Sequence, residues 1–235
     1  MIASVFRTLL GIALLPACWG AVRAVVDALR LSSRSDLVFS AESLSFLGGI
    51  VAFALCWVTF GRPVRVYVLG HELTHALWGL LFGARPSKVR VTKSGGSVLL
   101  TKTNFLITLA PYFFPFYTVV VILLAVLVSL FVRQLPLLPA WTFAVGFTWA
   151  FHVLFTLGTL SEHQPDIARY GRLFSWTFIF LVNVSIVLAA LAATTLVSFP
   201  ETWRLVSSHV SSAYVGVASA VWSGVLQLVD FAEAA

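Results

Sequence analysis

Long apolar runs cover most of the chain, separated by short stretches rich in charged residues, proline, glycine and serine. A run of about 20 apolar residues can cross the hydrocarbon core of a bilayer as an α-helix. The runs predict about six transmembrane helices, over residues 4–26, 44–60, 64–83, 105–132, 141–160 and 173–199. The expected fold class is therefore an all-α polytopic membrane protein, built as a single integral membrane domain over residues 1–235.

Between the third and fourth spans the pattern changes from helical to alternating. Polar and apolar residues alternate from Lys88 to Lys93, Gly95 and Gly96 follow, and a second β-prone run begins at Val98. Alternation around a glycine turn predicts a short β-hairpin, although a soluble surface loop is an alternative. The free edge of such a hairpin can pair with an extended peptide.

The C-terminal stretch has two faces. Apolar residues recur every three or four positions from Trp203 to Leu228, opposite a stripe of serine, glycine and glutamine. This pattern predicts a C-terminal amphipathic helix over residues 201–230, peripheral to the bundle. It would lie in the membrane interface or pack on the other helices through its small residues.

Composition supports the membrane assignment. The chain is 60% hydrophobic and 10% charged, with a net charge of +6, unlike ordinary soluble domains. No basic patch interleaved with aromatic residues is present, so nucleic acid is not an expected partner. The protein is expected to be multi-pass in a lipid bilayer, in the inner membrane of the cell if its source is bacterial.

Loop charges predict the orientation of the six spans. With the N-terminus outside, nine lysines and arginines face the cytoplasm and five face the other side. Since an excess of these residues marks the cytoplasmic side, both termini are expected outside. The nine residues are Arg30, Arg34, Arg85, Lys88, Arg90, Lys93, Lys102, Arg169 and Arg172.

The third predicted span contains the sequence His71-Glu72-Leu73-Thr74-His75. Two histidines four residues apart lie on one face of a helix, where both imidazoles can bind one Zn²⁺ ion. Glu72 lies one residue off that face and can act as a general base on a water molecule. Ionisable groups at membrane depth are costly, which favours a functional site over a solvated helix end.

A catalytic zinc ion takes three protein ligands, and the motif supplies two of them. Four later residues could supply the third: His152, Glu162, His163 and Asp166. Asp166 also suits the first turn of a helix that begins near Pro165, where a carboxylate offsets the helix dipole. His152 and His163 are alternatively expected to orient a ligand or to hydrogen-bond a reaction intermediate.

The sequence around the motif, HELTHALWGLLFGARPSKVRV from His71 to Val91, resembles the site-2 protease family of zinc intramembrane metalloproteases. The resemblance covers the H-E-x-x-H, the alanine after it and the Phe82-Gly83-Ala84 exit of the helix. It implies a core over about 64–181, with one Zn²⁺ per chain and an aspartate on a later helix as third ligand. Asp166 stands at that place, without the flanking Leu and Gly of the family pattern.

The resemblance implies a zinc-dependent metalloendopeptidase that cleaves a locally unwound transmembrane segment of a membrane protein. Glu72 is the expected catalytic base, His71, His75 and Asp166 the metal ligands, and Val98, Leu99 and Leu100 the substrate-binding strand. A regulatory membrane partner is possible, because no long loop could hold a regulatory domain. The alternatives are an inactive zinc-binding relative acting as an assembly factor, a zinc enzyme with a non-protein substrate, and a transporter.

Overall fold

A computed structural model describes residues 2–33, 36–92, 95–132, 137–160, 164–194 and 196–234. Within them, helices predominate and a single two-stranded sheet is present. The elements are α1 (Ile2–Ser32), α2 (Ala41–Phe60), α3 (Val64–Leu81), β1 (Pro86–Val91), β2 (Gly96–Leu100), α4 (Phe105–Phe113), α5 (Phe116–Ser129), α6 (Leu138–Leu160), α7 (Pro165–Tyr170), α8 (Arg172–Ala193) and α9 (Phe199–Ala234).

Five helices of the described part, α1, α2, α6, α8 and α9, are long and apolar enough to cross a membrane. The pair α4 and α5 adds a sixth if it is taken as one broken span. These lengths confirm the expectation of a multi-pass, mainly helical membrane protein.

Two helices differ from the predicted set of spans. The motif helix α3 is not among the helices apolar enough to cross on composition alone, because Arg65, His71, Glu72 and His75 lower its hydropathy. Helix α9, expected to be peripheral, is apolar enough to cross over Phe199–Glu233. Its serines and glycines are small, and a membrane helix tolerates small polar residues.

The helices and hairpin pack in two compact units, residues 37–170 and residues 1–36 with 171–235. In the first unit, α2 and α6 pack closely through Gly49 and Gly146. A Cβ atom at Gly49 would collide with the carbonyl oxygen of Phe143, and one at Gly146 with the carbonyl oxygen of Phe46. The small residues at these positions permit the close approach of the two helices.

Aromatic contacts show that α2 and α6 run parallel. Phe46 lies beside Trp149, Phe53 beside Phe151 and Trp57 beside Phe155, so both residue numbers rise together. Helix α3 runs the opposite way along α6. Its early residue Tyr67 stacks on Phe155, and its later residue Thr74 shares a small cavity with Thr148.

After the hairpin, α4 and the start of α5 run antiparallel to α3 and pack along it. The carbonyl of Ile107 lies at His75, the ring of Tyr112 at His71, and the hydroxyl of Tyr117 at the Val66 carbonyl. Pro115 separates α4 from α5, and the two helices are bent by 75°. Proline removes a backbone donor and thus explains the break. The predicted single span over 105–132 is therefore two helices.

The predicted β-hairpin is present between α3 and α4. Strands β1 and β2 are antiparallel, pairing Pro86 with Leu100 and Val91 with Gly96, with an irregularity between Ser87 and Arg90. Lys88 has a positive φ of 50° within that irregularity. Residues 93–94 at the turn lie outside the described part of the chain.

The second unit consists of α1, α8 and α9. Gly11 of α1 lies on Phe174, and Ala28 clusters with Leu188, so α1 and α8 run parallel. Helix α9 runs antiparallel to α1. Asp27 accepts a 2.9 Å hydrogen bond from His209, and the Ala13 carbonyl accepts one of 2.8 Å from the Tyr214 hydroxyl.

Candidate metal centre

Helix α3 presents the motif as the spacing predicts. It is continuous from Val64 to Leu81, which places His71 and His75 one turn apart on a single face. The buried hydroxyl of Thr74 donates a 2.7 Å hydrogen bond to the Gly70 carbonyl, which satisfies its polar group within the helix. At Gly70 the absent side chain leaves room for the ring of Tyr117 on α5.

Three donor atoms converge at this face of α3. The Nε2 atoms of His71 and His75 are 3.2 Å apart. The Oδ2 atom of Asp166 lies 3.5 Å from the first and 3.4 Å from the second. Ligands held tetrahedrally at about 2.0–2.1 Å from one ion are about 3.3–3.4 Å from each other. The three predicted ligands therefore form a group that could hold one metal ion.

Contacts behind the two imidazoles decide which ring nitrogen of each faces the space that the three donor atoms share. The Nδ1 atom of His75 lies 2.9 Å from the Ile107 carbonyl oxygen, which can only accept a hydrogen bond. Nδ1 therefore carries the proton and Nε2 has a free lone pair. The Nδ1 atom of His71 lies 3.2 Å from the Tyr67 hydroxyl, so its Nε2 also points to the shared space. Such contacts orient metal-binding histidines in general.

Asp166 reaches the site from the first turn of α7, a helix of six residues. The buried side chain of Ile167 anchors this short helix, and the ring of Tyr170 contacts Phe105. The hydroxyl of Tyr112 donates a 3.3 Å hydrogen bond to Oδ2 of Asp166. Asp166 thus stands at a helix N-terminus and at the metal group at once, so the two alternatives for this residue are compatible.

Glu72 is buried, with 6% of its surface exposed, and its side chain lies against the hairpin. Gly96 packs directly against this side chain, because a Cβ atom there would lie 2.8 Å from Oε1 of Glu72.

A cleft of about 780 Å³ opens beside the metal group. It is bounded by the three candidate ligands and Glu72, by every residue of β2, and by side chains from α2, α3, α6 and α7. No residue of β1 borders it. The predicted substrate-binding residues Val98, Leu99 and Leu100 therefore line the same cleft as the candidate catalytic group.

Of the two remaining predicted histidines, His152 is described and does not border the cleft. His152 is buried and borders a separate cavity of about 20 Å³, behind His71, together with Thr148 and Tyr117. His163 lies outside the described residues, as does Glu162.

Sequence reasoning missed three residues of the site. Tyr67 precedes His71 by four residues, so helical spacing could have placed it on the same face. Tyr112 and Gly96 reach the site only through tertiary packing. Tyr112 is completely buried, which is consistent with its hydroxyl contact to Asp166.

Comparisons of the chain with protein-family models, with curated proteins and with solved structures found no match.

Proposed function

We propose that the protein is a zinc-dependent intramembrane endopeptidase. The observation that supports this most strongly is the convergence of His71, His75 and Asp166, within 3.5 Å, beside a cleft that also contains Glu72. The resemblance of residues 71–91 to the site-2 protease family supports the same assignment. Two imidazoles and one carboxylate are a ligand set that zinc enzymes use, leaving one position open.

The reaction is hydrolysis of a peptide bond. When bound, zinc supplies Lewis acidity, which polarises a peptide carbonyl and makes a water molecule more acidic. Glu72 takes one proton from the attacking water, whose oxygen forms the new bond to the carbonyl carbon. The carbon–nitrogen bond breaks, and Glu72 returns the proton to the leaving amine. One water is consumed, and one carboxylic acid and one amine are formed.

The substrate is a transmembrane segment that becomes extended at the site. A helical segment hides its carbonyl groups in internal hydrogen bonds, so cleavage requires local unwinding. The edge of β2 borders the cleft and offers backbone groups with which an extended chain can pair. Val98, Leu99 and Leu100 bind the substrate backbone in this proposal.

Metal content tests the first half of the proposal. The purified wild-type protein should contain one zinc ion per chain, and His71→Ala should contain almost none. His209→Ala is the matched control, because His209 contacts Asp27 and does not line the cleft. A wild-type protein that binds no zinc after loading would favour the transporter.

The proteolytic activity is tested by expressing the protein in cells and identifying new peptide ends in their membranes by mass spectrometry. Wild type should produce ends within transmembrane segments, whereas Glu72→Gln, which keeps zinc but lacks a base, should produce none. Glu42→Gln, at the start of α2, serves as the control. Identical peptide ends with wild type and Glu72→Gln would favour the inactive zinc-binding relative over the protease.

A further inference from the structure

A row of aromatic rings forms one wall of the cleft. The ring of Trp57 on α2 packs edge-on against Phe155 of α6, with 4.8 Å between the ring centroids. Phe155 stacks on Tyr67 of α3 at 4.4 Å, and the Tyr67 hydroxyl contacts the candidate ligand His71. The row therefore extends from the metal group to the end of α2, and all three aromatic residues border the cleft.

Arg62 lies at the far end of this row, between α2 and α3. Its guanidinium carbon is 5.2 Å from the centre of the Trp57 ring, and the residue borders the cleft. A cation–π contact of this kind positions an arginine and leaves its charge in place. Within the described part of the chain, the Arg62 side chain forms no hydrogen bond and no ion pair. Its N–H donors are thus available to a bound molecule.

The described carboxylates of this unit lie elsewhere. Glu72 and Asp166 border the cleft at the metal group, as base and ligand in the proposed function. Glu42 stands in the first turn of α2, about 27 Å along the axis from the end of that helix. Since a guanidinium binds a carboxylate through two parallel hydrogen bonds, charge complementarity favours an acidic side chain from the bound molecule at Arg62.

The geometry of α3 sets the distance between this guanidinium and the reacting bond. Val64, Tyr67, His71 and His75 border the cleft at spacings of three and four, so the cleft follows one face of the helix. From Val64 to His71 the helix rises by about 10 Å. An extended peptide advances about 3.3 Å per residue and covers this distance in about three or four residues.

We propose that Arg62 is a specificity-determining residue, which binds an aspartate or glutamate of the substrate about three or four residues from the scissile bond. This inference rests on the proposed protease function and names a class among its substrates. They are transmembrane segments with an acidic residue near the membrane boundary at which the α2–α3 junction lies. A carboxylate at the edge of a span is less costly than one at its centre, so such segments can reside in a bilayer.

Peptide binding tests the inference without cleavage. Dye-labelled decapeptides of alternating threonine and valine, which favour an extended conformation, carry either aspartate or asparagine at one central position. Fluorescence polarisation measures their binding to the full chain in a neutral detergent. Wild type should bind the aspartate peptide about fivefold more tightly than the asparagine peptide, the upper end for an exposed ion pair. Arg62→Gln should bind the two peptides equally.

Arg65→Gln is the matched control. Arg65 is also exposed near the start of α3 but does not border the cleft, so this variant should keep the preference for aspartate. Equal binding of the two peptides to wild type would overturn the inference. The same is true of equal loss of the preference in both variants, and of a failure of either peptide to bind.

Peptide hydroxamates test the position of the acidic residue. A hydroxamate chelates zinc and fixes one end of the peptide at the metal group of the zinc-loaded protein. Aspartate is then moved residue by residue away from the hydroxamate, which is attached to the C-terminus in one series and to the N-terminus in the other. Binding should be tightest with aspartate about three or four residues away in one series, and only when Arg62 is present. A preference that does not depend on position would overturn the assignment.

Failure of this inference and failure of the protease proposal give different results. A preference for aspartate that requires Arg62, without new peptide ends in membranes, would retain the binding site and reject the protease. New peptide ends that depend on Glu72, together with equal binding of the aspartate and asparagine peptides, would retain the protease and reject the role of Arg62.

Discussion

Hydrogen bonds behind the candidate metal group orient its two histidines. Each histidine of α3 has its Nδ1 atom at a fixed partner, Tyr67 for one and the Ile107 carbonyl for the other. The two partners differ in kind. A backbone carbonyl is fixed by α4, whereas the Tyr67 hydroxyl can be removed by a conservative substitution. The contribution of one such contact can therefore be measured directly.

Tyr67→Phe should weaken zinc binding about tenfold, at the lower end of what loss of such a contact typically costs. The phenyl ring keeps the stacking on Phe155 but offers His71 no hydrogen-bond partner. Chelator competition measures the dissociation constant. Tyr214→Phe is the control, because its hydroxyl bonds the Ala13 carbonyl in the other unit. An unchanged dissociation constant in Tyr67→Phe would show that the contact does not orient His71.

Asp166→Ala should lose zinc, whereas His152→Ala should retain most of it. The carboxylate of Asp166 lies within 3.5 Å of both Nε2 atoms, while His152 borders only the small cavity behind His71. Elemental analysis of the purified variants measures the difference. Full zinc in Asp166→Ala combined with loss in His152→Ala would reassign the third ligand.

The parts of the site that could be predicted are those encoded by local spacing. His71, Glu72 and His75 follow from a helix of 3.6 residues per turn, and Asp166 followed from the order of elements in the resembling family. The closeness of Asp166 to the histidines, the Tyr112 hydroxyl on its carboxylate and the contact of Gly96 with Glu72 all join residues far apart in sequence. No local pattern encodes such contacts.

At the scale of elements, the packing of α2 against α6 in the first unit requires glycine at the contact positions, since any larger residue would collide with the backbone of the other helix. Gly146→Leu should lower the free energy of unfolding by about 2–3 kcal/mol, because overpacking strains a close contact. Its side chain would have to enter the space of the Phe46 carbonyl. Thermal unfolding in detergent measures the change.

Gly224→Leu is the matched control for this prediction. Gly224 also lies within a helix, but a Cβ atom there meets nothing within 4 Å. It should unfold at nearly the wild-type temperature. Equal destabilisation by the two substitutions would indicate a general effect of leucine rather than a clash between α2 and α6.

The hydrophobic runs predicted where the helices lie better than whether each helix is continuous or crosses the membrane. Apolar length located α1, α2, α6 and α8, and alternation located the hairpin. The apolar run over residues 105–132 predicted one span and did not reveal the 75° bend between two helices at Pro115. Helix α9 was expected to be peripheral because its stripes resemble an amphipathic helix, although serine and glycine are also common in helices that cross membranes.

For the whole molecule, the parallel course of α2 and α6 limits how often the chain crosses the membrane. Two parallel spans require an odd number of crossings between them. Helix α3 runs against α6, α4 retraces α3, and α5 returns toward the start of α6. We infer that α3, α4 and α5 together make one net crossing. With α1, α2, α6, α8 and α9, the chain then crosses six times.

In this topology the end of α5 lies on the side of the membrane opposite to the one that the loop charges predict. In a variant with Cys18 and Cys56 replaced by serine, single cysteines at Ser33 and Val132 should react with an impermeant maleimide from one side. A cysteine at Gly61 should react from the other side. Reaction of the Val132 and Gly61 cysteines from the same side would restore the predicted topology with a complete span over 105–132.

The division into units has a consequence for synthesis on the ribosome. The unit built from α1, α8 and α9 is discontinuous, because residues 37–170 lie between its first and later helices. At about 5–20 residues per second, synthesis of residues 37–170 takes roughly 7–27 seconds, and the partners of α1 begin only after it. During that time Asp27 lacks His209, and the surface of Gly20 that meets Val210 remains uncovered. A nascent chain arrested before residue 171 should therefore expose α1 to membrane chaperones and quality-control proteases.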